Sequence, residues 1–143
     1  MALLRQDANG TLVLESPIPL NAAGALDIEA GDVNGDGRPD LVVAIFDYPP
    51  QPRIAVLLQL SDGGFSTPQF LSTQPTPSTL RTLAVAIGDL NSDGRNDVVA
   101  TSGGNSPSTT MAVFYQSSDG KLDAMTSIDT YEVPAAVRIA HVN

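Results

Sequence analysis

The stretch DVNGDGRPDLVVA, residues 32–44, places oxygen-bearing side chains on alternate positions, turns at a glycine, and runs directly into an unbroken apolar segment. Residues 89–100, DLNSDGRNDVVA, repeat the whole pattern. Asp32, Asn34, Asp36 and Asp40 stand at positions 1, 3, 5 and 9 of the first loop, with Gly37 at position 6. Alternate side chains converge on one point when a backbone wraps around it. A glycine at position 6 permits the sharp turn that brings in the carbonyl of the next residue, Arg38. Asp89, Asn91, Asp93, Asp97, Gly94 and the Arg95 carbonyl form the same set in the second copy. Five or six hard oxygen ligands without nitrogen or sulfur suit Ca²⁺, so two calcium sites are expected. The competing reading of each stretch is an aspartate-glycine turn that binds nothing.

Working outward, the chain aligns with itself in three further places. Ala2–Gln6, Ala55–Gln59 and Ala112–Gln116 match, and each is followed by a turn signal, Ala8-Asn9-Gly10, Ser61-Asp62-Gly63 or Ser118-Asp119-Gly120. Asn-Gly and Asp-Gly between extended runs mark tight hairpins, because these residues tolerate positive φ. Alternating runs at Leu26–Ala30 and Leu83–Ile87 precede the carboxylate loops, and Ala136–Ala140 resembles the start of a third. One unit therefore reads as strand, carboxylate loop, strand (Leu41–Ile45), irregular loop, strand (Ile54–Gln59), hairpin, strand (Phe65–Leu71) and connector. Four antiparallel strands in about 53 to 57 residues are the content of a propeller blade. With 11 prolines and 12 glycines and no sustained helical period, the expected fold class is all-β.

The phase of the repeat divides the 143 residues into about two and a half blades: 1–24 as the second half of one, 25–80 and 81–134 as blades with calcium loops, and 135–143 as the first strand of another. The rest of the ring is expected from a longer chain or from oligomerisation.

Composition narrows the function classes. The net charge is −9 with seven basic residues, which disfavours nucleic acid, since no basic stripe exists to meet phosphates. Six of the 16 acidic residues lie in the two loops, and two divalent ions there would leave about −5. The chain has no cysteine, hence no disulfide or thiolate chemistry. No apolar window is long enough for a membrane helix, so membrane insertion is not expected. No export signal is legible either. A single histidine, His141, and the lack of a G-x-S-x-G elbow argue against an enzyme. Asn9-Gly10-Thr11 fits a glycosylation sequon, which its hairpin-tip position already explains.

D-x-N-x-D-G-R-x-D-[LV]-V-V-A followed by R-I-A-V-L-L-Q-L-S-D-G-G-F resembles the VCBS and FG-GAP repeats, the calcium-loop blades of the integrin α head. The Phe-Gly and Gly-Ala-Pro elements of that family are not legible, and His141 stands where a third loop would open with aspartate. An EF-hand or a dockerin is excluded because the apolar run after the loop is a strand pattern, with Val43 or Ala100 where an EF-hand carries glutamate. The resemblance implies a β-propeller in which calcium staples the turn between the first two strands of a blade. It also implies an extracellular or cell-surface adhesion or ligand-binding role.

Antiparallel strands alternate in direction, so the carboxylate loops and hairpins share one face of the ring. The irregular loops share the other. On that second face Asp47, Tyr48, Arg53 and Asn105 are candidate contacts for a protein or carbohydrate ligand. The absence of Trp gives no support to a lectin. Two rival roles stay open: the accessory propeller of an extracellular polysaccharide-processing enzyme, and an assembly unit completed by strands from other chains.

Overall fold

A computed structural model describes residues 1–47, 53–74, 80–103, 109–130 and 135–140. These residues form ten strands: β1 (Leu4–Gln6), β2 (Leu12–Leu14), β3 (Gly24–Gly31), β4 (Asp40–Phe46), β5 (Arg53–Leu57), β6 (Gln69–Ser72), β7 (Arg81–Gly88), β8 (Asp97–Gly103), β9 (Thr109–Phe114) and β10 (Thr126–Thr130). Within each sheet, strands adjacent in sequence pair antiparallel. The result is a two-stranded ribbon, β1-β2, and two four-stranded sheets, β3-β4-β5-β6 and β7-β8-β9-β10. The all-β class and the four-stranded blade pattern are therefore both present.

The two sheets are copies in detail. In both, the first strand carries one irregularity in register, between Ala25 and Asp27 in β3 and between Thr82 and Ala84 in β7. The hairpins at Gly10, Gly63 and Gly120 are likewise one device used three times. Each glycine has φ between 78° and 84°, and each N–H donates three residues back, to the carbonyl of Asp7, Leu60 or Ser117.

The apolar runs after the loops are unbroken because β4 is buried on both faces. Val42 and Ala44 pack with Ile54, Val56, Val85, Val98, Ala100, Ala112 and Phe114 into the core between the two sheets. Val43 and Ile45 point the other way and join Ala55, Leu57 and Leu20 under the N-terminal segment. Each such Val or Ile contributes about 1.5–3 kcal/mol by leaving water.

Two strand bounds differ from expectation. The third strand of the first sheet ends at Leu57, not Gln59; Leu58 leaves the ladder and instead exchanges bonds with Ser66. Its partner strand begins at Gln69, not Phe65, because Pro68 has no N–H to give a ladder; only an isolated bridge joins Gln59 to Phe65. Residues 135–140 pair with no strand among the described residues. Ile139 nevertheless presses on Gly88 as Ile87 presses on Gly31, at 2.9 and 2.8 Å from where a Cβ would stand.

Candidate functional site

Both carboxylate loops wind around their own first aspartate. Asp32 Oδ1 accepts the N–H groups of Asn34, Gly35 and Asp36 at 3.2, 2.6 and 3.2 Å, and Oδ2 accepts that of Gly37 at 2.8 Å. Asn34 Oδ1 accepts the Asp36 N–H at 2.9 Å, while Asn34 Nδ2 donates to Asp36 Oδ2 at 2.8 Å. Asp36 Oδ1 then accepts the Arg38 N–H at 2.9 Å, and its other oxygen pairs with the Arg38 guanidinium. The main steps recur in the second loop, with two amide bonds to the first aspartate where the first loop has four. Asp93 and Gly94 donate to Asp89 at 3.2 and 2.9 Å, Asp93 N–H reaches Asn91 at 3.0 Å, Arg95 N–H reaches Asp93 at 2.9 Å, and the Arg95 guanidinium pairs with Asp93.

These contacts set the charge state. The amide donors, Gly94 first, hold the Asp89 carboxyl below its ordinary value. Desolvation pulls Asp36 upward, but the Asn34 amide, the Arg38 N–H and the Arg38 charge outweigh it, so Asp36 also lies low. Asp40 differs: burial raises it, with Asp36 and Asp32 adding repulsion, against the opposing Gln59 and Val33 N–H groups.

Asp40 and Asp97 are fully buried. Asp40 accepts from Val33 and Gln59 N–H at 3.1 and 2.8 Å, and Asp97 from Leu90 and Gln116 N–H at 2.9 Å each. Position 9 thus ties its loop to the end of the third strand. The arginines add a second tie, since Arg38 Nε donates to the Gln59 carbonyl and Arg95 Nε to that of Gln116. Among the described residues no three His, Cys, Asp or Glu side chains converge closely enough to hold a metal by themselves. The donor set of each loop is instead mixed: carboxylate, amide and main-chain oxygen. Each ionised carboxylate has about four acceptor positions, and the amide bonds leave some of them free in both loops. The set is oxygen only, which fits a hard cation.

The candidates on the other face separate. Asp47 and Arg53 are partly buried and committed to each other at 2.7 Å; Ala23 N–H also donates to Asp47, and the Arg53 guanidinium lies 3.9 Å over the Phe70 ring. These contacts lock the end of β4 to β5 and β6. Tyr48 and Asn105, and with them His141, lie outside the described residues.

The loop face holds residues that motif reading passed over. A groove of about 550 Å³ runs between the two sheets, lined by Asp32, Asn34, Arg95, Asn96, Gln116 and Asp119 among others. The one available signal was the glutamine that closes each Ala2–Gln6-type segment: Gln59 and Gln116 are the residues the loops hold on to.

Residues 1–43 and 32–100 each match the model of the FG-GAP-like repeat. The chain belongs to the FG-GAP-like repeat family. No curated protein matches the chain. The second FG-GAP-like match runs from the opening aspartate of one carboxylate loop through the other loop to the end of its apolar run. Both matches end in a carboxylate loop and its apolar run, and the family accounts for the propeller-type blade.

Proposed function

We propose that this FG-GAP-like segment is a calcium-stabilised, non-enzymatic binding module of an exported protein. It holds two Ca²⁺ ions and meets a protein or carbohydrate ligand outside the cell. The observation that carries the reading is the recurrence, atom for atom, of one oxygen-only loop at two places in the chain. Asp32, Asn34, Asp36 and the Arg38 carbonyl would hold one ion, and Asp89, Asn91, Asp93 and the Arg95 carbonyl the other. Asp40 and Asp97 join through the acceptor positions that their amide bonds leave open. A bound cation supplies a fixed charge that cancels carboxylate repulsion and cross-links strands that no disulfide joins. Its contribution is mass action on folding: about 1.4 kcal/mol per site at tenfold excess over Kd.

A calcium titration followed by melting and mass tests this. Millimolar Ca²⁺ is expected to raise the melting temperature and chelator to reverse the rise, while Asp36→Ala removes about half of the gain. Melting that ignores calcium in both proteins leaves the loops as plain turns. The assembly reading also has an observation behind it: Leu4, Leu12 and Leu14 of the β1-β2 ribbon are 56, 63 and 64% exposed. A mass above that of one chain would favour it.

A further inference from the structure

The two carboxylate loops are alike inside and unlike in their surroundings. Two groups of the second sheet reach the first loop. Asn96 Nδ2 donates to the Asp32 carbonyl at 3.0 Å. Gly120, at the tip of the β9–β10 hairpin, lies so close to the Asn34 carbonyl that any Cβ would collide with it. Beneath them Gln116 Nε2, buried and without a protein partner, faces Gly35 at 3.8 Å from the point where a Cβ would stand. Val33, at position 2 of this loop, is 2% exposed in the core between the sheets, whereas its counterpart Leu90 is 39% exposed. Among the described residues nothing comparable covers the second loop.

A loop held in its binding shape by neighbours loses less freedom when it takes up an ion. We infer that Asn96 and Gly120 are positioning residues for the first loop: they hold it in its cation-binding shape and couple its affinity to the docking of the two sheets. The inference rests on the calcium reading above. Coupling is reciprocal, so an ion in the first loop strengthens the contact between sheets.

The sixth-position glycines separate the sites experimentally, because the Gly37 amide donates to Asp32 and the Gly94 amide to Asp89. Calcium titration of the full chain, followed by amide NMR, is expected to shift both Gly37 and Gly94 and so to give each loop its own midpoint. Asn96→Ala and Gly120→Ala should each raise the Gly37 midpoint about fivefold and leave that of Gly94 in place. Gly63→Ala is the control. Its φ of +84° imposes the same backbone strain as Gly120 at +78°, but its Cβ meets only the flexible Arg5 side chain, so both midpoints should hold. Should Gly120→Ala fail to fold, Asn96→Ala, which removes a single hydrogen bond at a half-buried site, decides the matter. Midpoints that move together, or that both stay put in Asn96→Ala, overturn the coupling alone. Silence of both glycines toward calcium in the unmodified chain overturns the calcium reading and the coupling with it.

Discussion

The loops 32–40 and 89–97 share the bonds made at positions 5, 6, 7 and 9, yet they differ in sequence at positions 2, 4 and 8. Position 2 is Val33 under the second sheet and Leu90 at the surface. Position 4 needs positive φ in both, and Gly35 adopts +78° freely, whereas Ser92 is held at +62° with a side chain in place. Position 8 is Pro39 in one loop, and in the other Asn96, which reaches across to the first loop. Positions 1, 3, 5, 6 and 9 build the loop. Position 7, arginine in both, ties the loop to its own sheet, while positions 2 and 8 are where the two surroundings differ.

The comparison breaks most visibly at position 9. Asp40→Ala and Asp97→Ala each leave two N–H groups without an acceptor next to a fully buried side chain. Each is expected to cost about 3 kcal/mol in urea denaturation. Because the two sites have the same partners, a difference beyond about 1 kcal/mol would show that the loops are not equivalent inside.

Position 2 should separate them. Val33→Ala opens a gap in the core between the sheets and is expected to cost about 2 kcal/mol; Leu90→Ala, at a largely open position, should cost below about 0.5 kcal/mol. Equal losses would mean that the second loop is covered as the first one is.

The smallest effect sharpens the view of the hairpin that docks on the first loop. The Lys121 ammonium, at 2.5 Å, and the Ser117 hydroxyl lower Asp119 from 3.8 to about 2. A depressed folded-state value means that the stabilisation is complete above pH 3.8 and fades as pH falls toward 2. Carboxyl NMR should place the Asp119 midpoint near 2, and Lys121→Ala should return it toward 3.8. A midpoint unchanged by Lys121→Ala would remove the lysine from the account.

Much of this architecture was legible beforehand. Val42 to Ile45 announced a strand buried on both sides, since alternation disappears when both faces lose contact with water. Asn-Gly and Asp-Gly announced the three hairpins through their φ requirement. The carboxylate loops showed their members, but spacing alone could not divide labour among them. Asp40 looked like one more ligand beside Asp32 and Asp36, and only its burial under Val33 and Gln59 reveals a residue that ties loop to strand. Asp47 and Arg53 are legible as polar loop residues, but their 2.7 Å pairing and the Phe70 ring beneath Arg53 come only from the packing of β4, β5 and β6.

The amino-acid order, then, settles what is local and repeated: turns demanded by φ, strands demanded by apolar runs, and oxygen donors at loop spacing. Those follow from forces acting over a few residues, and so they recur wherever the motif recurs. Which loop is walled in, which carboxylate is buried and which glycine must stay bare are decided when one sheet settles against the next. Asn96 and Asp32, or Gly120 and Asn34, meet only through that packing. No spacing along the chain encodes such a meeting, because the energy of the contact exists only after the two surfaces have excluded water between them.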